Sequence, residues 1–407
     1  MIVIKSATLF VEGEEVVKDV LIKENLIAKI SDCIEEPSAI MIEAKGLYLL
    51  PGIIDLNVRF KDDILSKAHI ERLKNKAKNS GVTTLALMPD FTPCVESETV
   101  MELLQYKLDD SMKLSIKGLQ AKEQDKLNNI SSLLKSGASI IQERSHINGN
   151  LLRRILQYAL MKKVPFFCFC DNPDLNDNGV MHEGVTSAKL GLAGISKISE
   201  ISEVAKVASM AEYYGTKTLF QSLSTARALD IVARAKHNNP HIYAEVSIFH
   251  LLFNDEACSD FHTVAKLMPP LRDEAERIRL VDALKMGKID LLTSLHAAKS
   301  FNSKDLPFND AAYGVDSLEA YLALCYTALV KQGHIDIGRL ISLLSEVPAE
   351  VLGLEKLGKI EEGYIADVIL FDPDVKKVCE DRESLLFGME IFGEVKEIIK
   401  QGQSVTK

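Results

Sequence analysis

Between residues 51 and 300 the apolar pattern of the chain switches back and forth between a strand period and a helix period, and no other feature constrains the fold as tightly. Eight short runs rich in apolar and β-branched residues read as strands: 53–58, 83–88, 114–117, 139–142, 165–170, 218–222, 242–246 and 289–293. Helical patterns lie between them, among them 151–161, 204–214, 225–237 and 273–286, each apolar near i, i+3, i+4 and i+7. Eight such units describe an α/β fold, a (β/α)8 TIM-type barrel. A doubly wound open sheet ranks behind it, because no Gly-x-Gly-x-x-Gly follows the first strand.

The two ends of the chain read differently. Short alternating runs at 2–4, 8–11, 16–22, 26–30 and 39–42 predict a small antiparallel β unit, and 366–371 and 395–399 are strand-like too. The expected organisation is a discontinuous β-sandwich domain from residues 1–50 plus 356–407, flanking a barrel of residues 51–355. The stretches 171–196 and 296–315 are expected to be long loops over the barrel mouth.

With 407 residues, 47% of them hydrophobic, the chain has ample material for a large core. Its net charge of −10 and lack of a concentrated basic face argue against nucleic acid as the main partner. The start has no basic segment leading into an apolar one, and no apolar run is long enough to span a bilayer, so no membrane association and a cytoplasmic location are expected. Seven scattered cysteines suit reduced thiols better than a disulfide framework. Cys168 and Cys170 share a strand face and read as structural thiols, with a soft-metal site beside His182 and Glu183 as the lesser alternative.

The first barrel strand is Pro51-Gly52-Ile53-Ile54-Asp55-Leu56-Asn57-Val58-Arg59-Phe60. Alternation places Asp55, Asn57 and Arg59 on one side of the pleat, facing the barrel centre near the C-terminal strand end where barrel chemistry is done. Further signatures follow in order: Gly179-Val180-Met181-His182-Glu183-Gly184, Gln221-Ser222-Leu223-Ser224-Thr225-Ala226, Pro269-Pro270-Leu271-Arg272, Gly314-Val315-Asp316-Ser317-Leu318-Glu319, and Gly358-Lys359-Ile360-Glu361-Glu362-Gly363. Together, over essentially the whole chain, these motifs resemble those of the dihydroorotases, within the amidohydrolase superfamily.

That resemblance implies a zinc site and a substrate carboxylate anchor, and the residues at those positions depart from the pattern. The two zinc-binding histidines of the first strand are replaced by Asn57 and Arg59, and a guanidinium offers a cation no lone pair. Glu143 or Arg144 stands where the family has a metal-binding Asp, Phe169 and Ser222 where it has His, and Leu295 where it has the Asp that moves the proton. No catalytic group and no metal ligand of the family set is therefore intact, and no zinc or other cofactor is expected. On the substrate side, Lys61 keeps a positive charge, Asp90 replaces an Asn, and Arg272 and His296 remain as ligand-binding candidates. An Arg59–Glu143 ion pair is expected to fill the space of the missing metal.

Three functions remain open. The chain is a degenerate dihydroorotase-like protein of pyrimidine biosynthesis, assembling as a homo-oligomer or hetero-oligomer, with aspartate carbamoyltransferase as the partner implied by resemblance to non-catalytic family members. Alternatively it is an active cyclic-amide hydrolase with one metal or none, using Glu143, Asp171 or Asp90 as base. A third reading is a protein that binds a pyrimidine precursor without turning it over.

Overall fold

The structure, a computed structural model, describes residues 1–405 apart from 12, 122 and 124, and only the backbone of residues 105 and 106. Residues 406 and 407, which end the expected C-terminal segment, lie outside the described residues. The strands are β1 (Ile2–Val11), β2 (Glu14–Lys23), β3 (Leu26–Ser31), β4 (Ile40–Glu43), β5 (Tyr48–Pro51), β6 (Ile53–Val58), β7 (Val82–Leu87), β8 (Met112–Lys117) and β9 (Ile140–Arg144). They continue with β10 (Phe166–Phe169), β11 (Met181–His182), β12 (Gly194–Ile195), β13 (Thr218–Gln221), β14 (Ile242–Ser247), β15 (Leu291–Thr293), β16 (Val368–Val378), β17 (Glu390–Lys400) and β18 (Gln403–Ser404).

The eight parallel strands run in the order β6-β7-β8-β9-β10-β13-β14-β15, with helices between them, forming a (β/α)8 barrel. All eight strands expected from sequence are present, with ends shifted by one or two residues. Local chemistry starts and stops the helices. Ser66, Thr225 and Asp273 cap the helices Lys67–Ser80, Ala226–Lys236 and Glu274–Lys285 by accepting from a backbone amide in the first turn. A layer of Ile54, Leu56, Met88, Ile140, Phe167 and Leu219 fills the barrel with Tyr243, whose hydroxyl donates to Glu350 of the helix Val347–Leu352 at 2.7 Å.

The seam between β6 and β15 is closed mainly by side chains. The Asp55 carboxylate accepts from Thr293 Oγ1 at 2.7 Å, from the Ser294 amide at 3.3 Å and from Ser294 Oγ. Farther along, the Arg59 amide donates to the His296 carbonyl at 2.8 Å. The pairing of β6 with β7 shifts between Asp55 and Val58, so the expected single row of Asp55, Asn57 and Arg59 breaks up. Asp55 serves the seam while Asn57 reaches β13 and β14.

Strands from both ends of the chain form a second sheet, ordered β18-β17-β16-β5-β1-β2-β3, with β4 also on β1. The unit is not purely antiparallel as expected, since β1 pairs in parallel with β4 and β5. Ser6, at φ 54°, breaks the β1–β2 register, and buried Asp19 fixes the bend by accepting from the Ser6 and Ile34 amides and from Lys5. The chain passes from this sheet into the barrel at Gly52, whose amide donates to Asp367 at 2.8 Å. A Cβ there would lie 2.2 Å from Thr83 Oγ1, so only glycine fits.

The two stretches expected as open loops are partly ordered. Residues 171–196 contain a turn at Pro173–Leu175, the β11–β12 pair and the helix Val185–Leu190, while 296–315 contains the short helix Phe301–Lys304.

Candidate functional site at the barrel mouth

At the C-terminal ends of the barrel strands lies a cavity of about 400 Å³, lined in part by Arg59, Asp90, Arg144, Phe169, Leu295 and Lys299. Beneath it the barrel interior is polar. Asn57 Nδ2 donates to Ser222 Oγ at 2.8 Å and to Glu245 Oε1 at 3.0 Å, and the Ser222 amide donates to the same oxygen at 3.0 Å. Glu245 is fully buried, and its second oxygen, Oε2, has no partner among the described residues. Burial pushes its carboxyl up to about 7, with the Asn57 hydrogen bond opposing the rise and the Asp55 charge adding to it.

One layer higher, charge is compensated internally. Arg59 Nη1 donates to Asn57 Oδ1 at 2.8 Å and Nη2 to Asp90 at 3.4 Å, while Lys117 reaches the other Asp90 oxygen at 2.5 Å. Burial pushes the Asp90 carboxyl up, and the Lys117 and Arg59 charges overcome it, holding it below its ordinary value. Arg144 donates twice to Asp171, at 2.9 and 3.1 Å, and lies over the Phe169 ring.

Of the positions read from the sequence, Arg59, Asp90, Phe169 and Leu295 come together at the cavity, with Asn57 and Ser222 directly below. The expected Arg59–Glu143 pair is not formed. Glu143 instead accepts from the Leu119 amide at 2.9 Å and the Arg144 amide at 3.0 Å, and Asp90, on the neighbouring strand end, is the acid within reach of Arg59. Arg272 is a packing residue, buried and donating to Ser224 Oγ and the Ile195 carbonyl. His296 is likewise locked away from the cavity, its Nδ1 accepting from the Ser317 and Leu318 amides, and burial holds it down to about 4. Lys61 begins a short turn, Lys61–Asp63, and is absent from the cavity wall. His182 bonds to Asp273 at 3.2 Å, and Cys168 and Cys170 lie 3.8 Å apart in the core.

Reading the sequence missed Glu245 and Lys117. A signal for the first existed, since one carboxylate in the otherwise apolar run Ile242-Tyr243-Ala244-Glu245-Val246 rarely goes inside without a role. Lys117, ending a strand of mixed character, carried none.

Zinc does not fit the donors present. An amide, a guanidinium, a phenyl ring, a hydroxyl and an isobutyl group occupy five of the positions where the resemblance implies ligands and base, Glu143 at the sixth accepts from the Leu119 and Arg144 amides, and the nearby Glu245 Oε1 is already committed to Asn57 and Ser222. Two of these positions have an unusual backbone: Ser222 and Leu295 hold φ of 50° and 54°, a left-handed conformation costly for a leucine and easily adopted by Asp.

Residues 46–227 match the family model described as dihydro-orotase-like, and residues 224–405 match that of the amidohydrolase family. A dihydroorotase from Ruminiclostridium cellulolyticum is 31% identical over 370 residues, covering 88% of this chain and 86% of that protein. One from Carboxydothermus hydrogenoformans is 31% identical over 399 residues, covering 95% and 91%. Among solved structures, the L-hydantoinase of Arthrobacter aurescens superposes with a TM-score of 0.89 over 100% of this chain and 96% of its own, at 19% identity, which speaks for the fold alone. With that coverage and identity to dihydroorotases, this chain belongs to the dihydroorotase family.

Proposed function

We propose that this family member does not hydrolyse a cyclic amide and acts instead in the cytoplasm by assembly, as a structural or regulatory partner of an aspartate carbamoyltransferase in pyrimidine biosynthesis. The observation that carries the loss of chemistry is the closed network below the mouth, in which Asn57, Ser222, Glu245, Arg59, Asp90 and Lys117 bond to one another. Hydrolysing an amide near neutral pH needs an activated water and a base to take its proton. The three bases read from the sequence are engaged: Asp90 with two cations, Asp171 with Arg144, and Glu143 with two backbone amides. The carbamoyltransferase as partner rests on the resemblance to non-catalytic family members.

Metal analysis and a dihydroorotase assay on the purified protein test the first half of this reading. Well under one zinc per chain and no ring opening or closure are expected, and stoichiometric zinc with turnover would overturn it.

A second reading is favoured by the cavity itself. Arg59, Arg144 and Lys299 face it with Asp63 and Asp90, a mixed lining suited to a small polar acid such as a pyrimidine precursor. Calorimetric titration with carbamoyl aspartate separates the two, since saturable binding without turnover selects a binding protein.

A further inference from the structure

A second and larger cavity, of about 640 Å³, lies between the barrel wall and the β16–β17 hairpin. That volume suits a small molecule, and junctions between structural units are where such sites collect. Its apolar wall includes Leu322, Ala323, Phe371, Ile391 and Val395. The wall is ordered by packing: the Phe371 ring meets Tyr326 edge-on at 5.2 Å and fits over Gly393, where a Cβ would lie 2.0 Å from the ring.

The charged residues around it are not equivalent. Lys76 is neutralised by Asp316 at 2.8 Å and Lys377 by Glu394 at 2.6 Å, while Asp381 and Glu383 are exposed on the loop that closes the hairpin. Lys304 is different. It donates to the carbonyls of Thr263 at 3.0 Å and Lys266 at 3.3 Å, and among the described residues no carboxylate lies within ion-pair reach. Burial pushes it down to about 8, and the Lys266 and Lys299 charges push the same way. Lys299 has Asp63, so Lys304, like Lys78, brings the cavity lining a cation with no carboxylate in ion-pair reach among the described residues.

We propose that this cavity binds a small organic anion with an apolar body, its carboxylate or sulfonate head at Lys304 and its aliphatic or aromatic part against Ala323, Phe371 and Ile391. The site is separate from the mouth, sharing with it only Lys299 and Gly314, and stands whether or not the mouth is inactive.

Fluorescence titration of the full chain with anilinonaphthalene sulfonate, followed by competition with octanoate, octanol and octylammonium, tests this. One saturable site is expected, from which octanoate displaces the dye at least about tenfold more effectively than octanol, with octylammonium weaker still. Lys304→Met should reduce the affinity for octanoate about tenfold and leave octanol unchanged. Ala323→Phe and Ile391→Phe should each fill the cavity and abolish binding, with circular dichroism confirming which of the two remains folded. Arg144→Gln and Phe169→Ala, which touch only the mouth, should not alter binding. Absence of a saturable site, indifference to the charge of the competitor, or loss of binding in the mouth variants alone would overturn the assignment.

Discussion

Glu245 is poorly served by its surroundings, with one oxygen accepting several donors and the other facing none among the described residues. Its folded-state pKa of about 7 lies above the ordinary 4.5, so between those values the folded chain holds a proton that the unfolded chain has released. Stability from this group therefore falls as pH rises through that window, by an amount on the order of 3 kcal/mol. Glu245→Gln, which cannot ionise, is expected to raise Tm near pH 8 and to change little near pH 5, as thermal melts at the two pH values would show. An equal shift at both would mean that the Glu245 carboxyl titrates alike in the folded and unfolded chain, so that burial does not raise it. Above it, Asp90 holds two cations and Arg59 only one acid, so their removal should not be equivalent. Asp90→Ala is expected to destabilise by about 2 kcal/mol and Arg59→Ala by about half as much, both discounted for partial exposure, in denaturant titrations. The sequence made Asn57, Arg59 and Asp90 legible because each replaces a motif residue at a strand end. It could not give the Arg59 partner, because two acids, Glu143 and Asp90, stand on nearby strand ends and only the backbone amides of Leu119 and Arg144 decide which is already occupied.

At the scale of elements, the barrel is most exposed to damage at its seam. The other adjacent barrel strands share a backbone ladder, whereas β6 and β15 depend on Asp55 gripping Thr293 and Ser294. Asp55→Ala would strand those donors in a buried layer and is expected to cost about 3 kcal/mol, with Asp55→Asn milder because an acceptor remains. Chemical denaturation of the two variants checks the order, and equal losses would show that charge rather than hydrogen bonding closes the seam. The eight strands were legible because each is an apolar run bounded by turn residues. The ordered pieces within 171–196 were not, since Met181–His182 and Gly194–Ile195 are too short to leave a period in the sequence. Ser222 and Leu295 are intermediate cases. Their identities are visible as departures from the motif, but their left-handed backbone is not.

Over the whole molecule, the two chain ends share one core of Ile2, Ile4, Leu9, Val20, Val368 and Ile399, so the barrel is bracketed by a sheet that neither end can build alone. Under the proposed assembly role, it is the outer surface of this barrel that would meet a partner. On the barrel exterior the helices Gly149–Lys162 and Lys197–Tyr214 pack side by side, and near their C-terminal ends Leu160, Met161 and Tyr213 stand 47%, 62% and 82% exposed. Large exposed side chains of this kind, Met and Tyr in particular, are those that anchor interfaces. If assembly with an aspartate carbamoyltransferase is the function, this face is expected to carry it. Co-expression followed by size-exclusion chromatography should then give one co-eluting complex, and the double change Met161→Glu with Tyr213→Glu should split it while leaving the far-UV spectrum and Tm of the isolated chain unchanged. Co-elution that survives the double change would move the interface elsewhere on the surface. Separate elution of the unaltered proteins at micromolar concentration, with carbamoyltransferase activity unaffected when this chain is deleted, would remove the carbamoyltransferase as partner altogether.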